Sequence, residues 1–312
     1  MSRPKSDRRK GGPGSKSRAG GGKATRSRDG AAHRKREGGS GAGRPPREDA
    51  RSRRPAPSTR GYWVPGERAV RELLEARPNA IKQLCFELGR EIPELEARAA
   101  SLGIRSERKS REDLEALVGF GLARGVVARA EPPPIRHLDE LLAMPKPSGA
   151  RRRLLVALDQ VVDPGNLGAI LRSAEFFGAV GVLWAKDRSA PLSPLAVRAS
   201  AGATERLPLC VVTNLSRALE TAKQEGWWVV GTLPEGDEPM GRVAQNSPDD
   251  LVVVLGGEHK GMRRVTVEAC DFKLRIPRVG MLASLNVSAA AAVVLSSLAA
   301  GPESASESTD LD

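Results

Sequence analysis

Three stretches of this chain combine polar side chains with glycine and proline in ways that could do chemistry. Residues 158–175 read LDQVVDPGNLGAILRSAE. An apolar strand runs into a Pro-Gly turn and then into a helix with Asn166 at its cap, whose apolar face is Leu167, Ile170, Leu171 and Ala174. Arg172 and Glu175 sit on the opposite side. The plainer reading of this stretch is an N-cap asparagine and a solvated arginine. Residues 254–262 read VLGGEHKGM. Paired glycines, Gly256 and Gly257, end a strand and are followed by Glu258. Glycine lets a ligand approach the backbone closely, and ligands bind at the carboxyl ends of strands in open α/β sheets; the plainer reading is a flexible turn. Residues 276–288 read IPRVGMLASLNVS: a strand end, a loop carrying Ser284 and Asn286, and the start of a helix over 287–300 made almost wholly of Ala, Val, Leu and Ser. A helix apolar on every side must be buried on every side, either inside its own domain or between the sheet and a second subunit.

The elements that must position these stretches alternate. Apolar runs at 154–161, 181–185, 208–212, 227–233, 251–255 and 272–276 read as strands buried on both faces, with helices between them at about 167–177, 194–201, 214–225, 263–270 and 285–299. Asn214 reads as an N-cap and Gly226 as a residue just past a helix end. The alternation predicts an α/β domain with a parallel sheet over 151–301. Before it, residues 61–131 read as a small α/β unit: a helix with Val70, Leu73 and Leu74 on one face, a strand at 80–87, a helix at 93–102 closed by Gly103, a helix opened by Ser110 with a capping-box pattern, and a strand at 125–130. Residues 132–150, with Pro145 and Pro147, read as a linker.

Charge is unevenly spread. The chain has 312 residues and a formal net charge of +12. Residues 1–60 hold 19 Lys/Arg against 5 Asp/Glu, and the other 252 residues hold 31 against 33, so the folded part is near neutral and a uniformly basic protein is excluded. The first 60 residues lack Leu, Ile, Val and aromatics, which predicts a disordered basic tail. Such a tail is either a solubilising segment or a polycationic arm binding RNA without regard to sequence. Residues 302–312 read as a loose acidic end. The three cysteines and three histidines are scattered, without metal-ligand spacing, so no metal site and no disulfide framework is expected. No apolar run is long enough to span a membrane and the first residues lack the apolar core of a secretory signal, which points to the cytoplasm.

Taken together, D-P-x-N-x-G-x-x-x-R-S-A, G-x-E-x-x-G-M and I-P…S-L-N-V-S, in this order, resemble the three signature motifs of the SpoU/TrmH family of SPOUT-class RNA ribose 2′-O-methyltransferases. The likeness covers about residues 151–300. Residues 61–131 resemble the small ribosomal-protein-like substrate-binding domain that precedes the catalytic domain in the large-subunit rRNA guanosine branch. The resemblance implies a C-terminal trefoil knot, a rare exception among folds, whose loops hold S-adenosylmethionine: here Gly256, Gly257, Ile276, Pro277 and Leu285, with main-chain groups at Gly256, Ile276 and Leu285 on the adenine. It implies a homodimer. It also implies a role for Arg172 beside the RNA ribose-phosphate. Free guanidinium stays protonated to about pH 12.5 or above, so Arg172 is expected to hold phosphate and stabilise developing alkoxide rather than act as base. Asn166, Glu258, Ser284 and Asn286 are expected to orient Arg172 and the ribose. The chain departs from the family pattern at Met281-Leu282-Ala283, where relatives are richer in serine, and at Arg124, where many carry His-Gln-Gly.

The expected activity is therefore S-adenosylmethionine-dependent 2′-O-methylation of a guanosine in 23S rRNA. A tRNA target is the nearest alternative, and a non-catalytic RNA-binding assembly factor is the alternative of another class. A dinucleotide enzyme is excluded because no G-x-G-x-x-G follows any strand.

Overall fold

The computed structural model describes residues 61–119, 121–258 and 260–299. The basic segment 1–60, the acidic segment 302–312 and His259 lie outside the described residues.

In chain order the strands are β1 (Tyr62–Pro65), β2 (Ile81–Glu87), β3 (Ser106–Lys109), β4 (Val126–Ala130), β5 (Ile135–Arg136), β6 (Arg153–Asp159), β7 (Gly181–Ala185), β8 (Leu209–Val212), β9 (Trp228–Thr232), β10 (Glu238–Pro239), β11 (Asp250–Gly256) and β12 (Phe272–Arg275). The α-helices are α1 (Glu67–Ala76), α2 (Pro93–Ser101), α3 (Arg111–Val118), α4 (Leu138–Leu142), α5 (Pro164–Phe176), α6 (Pro194–Ala199), α7 (Ala203–Arg206), α8 (Leu215–Gln224), α9 (Met240–Asn246), α10 (Arg264–Glu268) and α11 (Val287–Ala299). β1–β4 form a small mixed sheet in the order β1-β4-β2-β3. The other eight strands form one sheet, β10-β12-β9-β11-β6-β7-β8-β5, in which every adjacent pair is parallel.

The large sheet is built from uninterrupted apolar runs: Leu154–Leu158 and Leu251–Leu255 are buried at every position. That is the pattern of strands covered on both faces, and two separate apolar clusters lie on the two sides. Helix ends follow local chemistry. Asn214 caps α8 by accepting from the Arg217 amide at 3.1 Å, and Gly226 takes φ +90° just past that helix. Ser110 caps α3, accepting from the Asp113 amide at 3.1 Å.

Three expectations are corrected. The helix expected over 194–201 is present as α6 but stops at Ala199, because Ala201 and Gly202 both take positive φ, and a further short helix that was not expected, α7, follows. The helix after β6 starts at Pro164, and Asp163, not Asn166, caps it through a 2.8 Å bond from the Asn166 amide to Asp163 Oδ1. Residues 132–150 are not a plain linker. β5 extends the large sheet beside β8, and Leu141 and Leu142 of α4 are buried in one of its cores. Arg153 fixes this segment: it forms a fork to both carboxylate oxygens of Asp250 at 2.6 Å, lies 4.6 Å from the Trp227 ring centroid, and donates to the Leu142 carbonyl at 2.9 Å.

The small unit is seated directly on α6 and α7. Val197 of α6 belongs to the small unit's own apolar cluster. Glu205 of α7, its side chain fully buried, accepts from the Tyr62 hydroxyl at 2.6 Å and from Arg77 at 2.8 Å. Arg206 pairs with Glu72 and Glu75 of α1.

Candidate active site

β12 flanks β9 at the far side of β11, yet the next helix, α11, packs on α5, which follows β6. The chain after β12 must therefore cross back over the carboxyl ends of the strands. A cavity of about 530 Å³ opens there, within the size range of small-molecule sites. Its walls come from the ends of β9 (Thr232–Pro234), β11 (Leu255–Glu258) and β12, and from the returning segment 276–285. Leu255, Met262 and Val287 make an apolar floor, each under 10% exposed. The Thr232 hydroxyl is buried at the wall and has no hydrogen-bond partner among the described residues. Arg278 steadies the returning segment by donating to the Ala283 carbonyl at 3.1 Å.

The turn after β11 is tight for a visible reason. The Gly257 amide donates to the Asp159 carbonyl at 2.8 Å, and the Gly261 amide to the Gly257 carbonyl at 2.9 Å. A Cβ on Gly257 would stand 1.9 Å from the Gln160 carbonyl oxygen, and one on Gly256 2.5 Å from the Met262 amide nitrogen. These glycines are demanded by the protein's own backbone, whatever ligand they also admit. Asp159, 1% exposed, locks the base of the turn by accepting from Arg263 Nε at 2.7 Å and from the Arg263 amide at 2.8 Å.

Because Asp163 takes the capping role, the side chain of Asn166 is released to make other bonds. Its Nδ2 donates to Glu258 Oε1, and its Oδ1 accepts from Asn286 Nδ2 at 3.1 Å. Asn286 Oδ1 accepts from the amide and the hydroxyl of Ser288, at 2.8 and 2.6 Å, which ties it to the first turn of α11. One polar residue from each of the three stretches thus meets at a single point beside the cavity. Arg172 lies two turns further along α5, exposed, with no ion pair or hydrogen bond among the described residues. Gly168, between them, packs α5 against α6: a Cβ there would stand 2.2 Å from the Ala196 carbonyl oxygen.

Of the residues expected from sequence, Gly256, Gly257, Ile276, Pro277 and Leu285 all line the cavity, with Glu258 and Ser284. Asn166 and Asn286 join at its edge through Glu258; Arg172 does not line it. Sequence reading missed Thr232, Leu233 and Pro234. The only available signal was a strand ending in Leu-Pro, which becomes informative once β9 is known to lie between β11 and β12. Among the described residues, no cluster of three His, Cys, Asp or Glu side chains suited to a metal ion occurs.

The arrangement suits a flat, largely apolar ligand with polar edges, held by backbone and set against a polar cluster. Residues 153–296 match the SpoU rRNA Methylase family and residues 63–136 the RNA 2′-O ribose methyltransferase substrate binding family. The 23S rRNA (guanosine-2′-O-)-methyltransferase RlmB of Pseudomonas putida is 41% identical over 236 residues, spanning 74% of this chain and 92% of that protein. Among solved structures, the SpoU methyltransferase AviRb of Streptomyces viridochromogenes, in complex with the cofactor AdoMet, superposes with a TM-score of 0.61 at 26% identity, covering 77% of this chain and 89% of that one. An RNA 2′-O ribose methyltransferase superposes with a TM-score of 0.62 at 30% identity, covering 76% and 87%.

Proposed function

Because this chain belongs to the SpoU rRNA methylase family, we propose that it methylates the ribose 2′-hydroxyl of a guanosine in 23S rRNA with S-adenosylmethionine as donor. The observation that carries this reading is the meeting of Asn166, Glu258 and Asn286 at the mouth of a backbone-edged apolar cavity.

The residues present fit the cofactor. The apolar floor of Leu255, Met262 and Val287 suits a purine face, and the orphaned Thr232 hydroxyl offers a bond to a polar edge. Main-chain groups of Gly256, Ile276 and Leu285 would hold the adenine part, with Gly257 and Pro277 closing around it. When bound, the cofactor supplies an electrophilic methyl group on a sulfonium. The chain does the rest. Arg172, whose side chain has no partner among the described residues, takes the phosphate next to the target ribose and stabilises negative charge as the hydroxyl loses its proton. Asn166, held from both sides, and Asn286 keep the Glu258 carboxylate at the cavity mouth, and Ser284 offers a hydroxyl there. Fixing both reactants in one geometry supplies the proximity term.

The return of the chain over its own strand ends supports reading the segment after β11 as a trefoil knot. Val279, Met281, Leu282 and Val293, all exposed in the single chain, together with the apolar α11, support a homodimer. No helix among the described residues is long and apolar enough to cross a membrane; the reading implies action in the cytoplasm. Residues 61–131 serve as the RNA-binding unit and the basic segment 1–60 as an additional RNA arm.

Incubation with methyl-labelled S-adenosylmethionine and separated 23S rRNA, 16S rRNA and tRNA tests the reading. Label at a 2′-O-methylguanosine in 23S rRNA is expected. Label in tRNA alone transfers the reading to that substrate, and no label with any RNA, together with no cofactor binding by calorimetry, returns the chain to a binding-only role.

A further inference from the structure

At the seam between the small unit and the large sheet, the cations divide into two kinds. Arg77 is matched to Glu205, and Arg206 to Glu72 and Glu75. Arg198 of α6 is not matched to an acid among the described residues. It donates across the seam to the Gly121 carbonyl, in the turn that leads to Arg124. Arg124 is exposed and makes no ion pair or side-chain hydrogen bond among the described residues. Burial, and next the charge of Arg124, hold the Arg198 guanidinium below its ordinary range. Arg198 thus reaches across the seam to the very turn that carries Arg124, and neither guanidinium has a carboxylate partner among the described residues.

Their placement is tied to the candidate site. α6 packs on α5 through Gly168, one turn before Arg172, and inserts Val197 into the small unit's core. A single short helix thus spans from the helix bearing Arg172 to the turn bearing Arg124. Like charges brought together by folding cost free energy, and an anion between them recovers it. The planar forks of two arginines match phosphate oxygens.

We propose that Arg124 and Arg198 form a phosphate-binding pair at the seam, which grips the RNA backbone between the small unit and Arg172 and so sets the distance from the bound RNA element to the methylated ribose. The inference rests on the rRNA methyltransferase reading. It makes both residues positioning residues, acting through the RNA and not on the reacting atoms.

Full-length protein is compared with Arg124→Gln, Arg198→Gln, the double variant and Arg198→Lys. Binding to a protein-free 23S rRNA transcript is measured by filter binding from 50 to 200 mM KCl, with melting temperature and S-adenosylmethionine affinity in parallel. Each lost phosphate contact lowers the slope of log K against log salt by roughly 0.7–0.9. The double variant is expected to lose roughly 1.4–1.8 from that slope and to bind about tenfold more weakly at the highest salt. Its melting temperature should be unchanged or raised, its cofactor affinity unchanged, and Arg198→Lys should keep the wild-type slope. A double variant with wild-type slope and affinity overturns the proposal, as does a lowered melting temperature with an unchanged slope. Wild-type methylation measured alongside separates this failure from failure of the enzyme reading itself.

Discussion

Asn286 Nδ2 donates to Asn166 Oδ1 at 3.1 Å, a bond between residues 120 positions apart in the chain. Asn166 uses both ends of its amide, donating to Glu258 while accepting from Asn286. No other side chain of that length does both without taking up a proton. Asn166→Asp removes the donor and sets a second carboxylate against Glu258. Turnover is expected to fall about a hundredfold, with cofactor affinity within a few-fold of wild type. Partial recovery at lower pH follows, because protonating one of two adjacent carboxylates restores the donor. Steady-state rates across a pH series check this; a variant equally slow at all pH values contradicts the paired-carboxylate explanation.

The Arg172 side chain is exposed and has no partner among the described residues, so its replacement should leave the fold intact. Arg172→Lys keeps the charge and loses the fork. Methyl transfer is expected to drop about 10²–10³-fold, while S-adenosylmethionine binding by calorimetry stays within error. Turnover at the wild-type rate would remove Arg172 from the mechanism.

These residues were visible in the sequence to different degrees. Apolar continuity located every long strand of the large sheet, because a strand buried on both faces leaves a pattern that needs no partner to be read. The cavity residues Gly256, Ile276 and Leu285 were placed by resemblance; their convergence depends on β11 lying between β9 and β6, which no local pattern encodes. The role of Asn166 was half legible. As a cap it competes with Asp163 three residues earlier, and only geometry shows that Asp163 wins and frees the amide. β5 and α4 were missed because Pro-rich flanks masked a short edge strand and one turn of buried leucines. α9 was missed because it buries only Val243 and Ala244.

Gly257→Ala tests how the turn after β11 is built. The added Cβ meets the Gln160 carbonyl oxygen, a main-chain atom that cannot swing aside. The loop must open instead, at a cost of about 1–3 kcal/mol. Denaturant unfolding and cofactor titration should both register it, with affinity at least tenfold weaker. Unchanged affinity means that this turn does not touch the cofactor.

The cysteines should be chemically quiet. Burial pushes the thiols of Cys85 and Cys270 up to about 12 and that of Cys210 to about 11. A free thiol ionises near 8.5, so at pH 8 the folded protein should alkylate with iodoacetamide at least about a hundredfold more slowly than it does in urea. A raised thiol pKa favours the folded state below about pH 8.5, and this contribution is lost as pH rises toward 11–12. Rapid labelling in native buffer of buried Cys85 or Cys210, or of half-buried Cys270, contradicts these raised thiol pKa values.

The seam around Glu205 carries the last prediction. Its carboxylate is fully enclosed, and among the described residues its partners are groups from the small unit, the Tyr62 hydroxyl and Arg77, and its neighbour Thr204. Burial, and then the Glu205 charge, raise the Tyr62 pKa, so the hydroxyl remains a donor throughout the working pH range. Glu205→Ala strands Arg77 and the hydroxyl together and is expected to cost about 3 kcal/mol or more. Tyr62→Phe leaves the ion pair in place and should cost about 1 kcal/mol. The double variant should cost less than the sum of the two, since both changes break one network. Beyond magnitude, the pattern discriminates. With the seam intact, the small unit and the large sheet should unfold together in urea, and Glu205→Ala should split that curve into two steps. A single step with an unchanged midpoint in Glu205→Ala would mean that the two units are not coupled through this carboxylate.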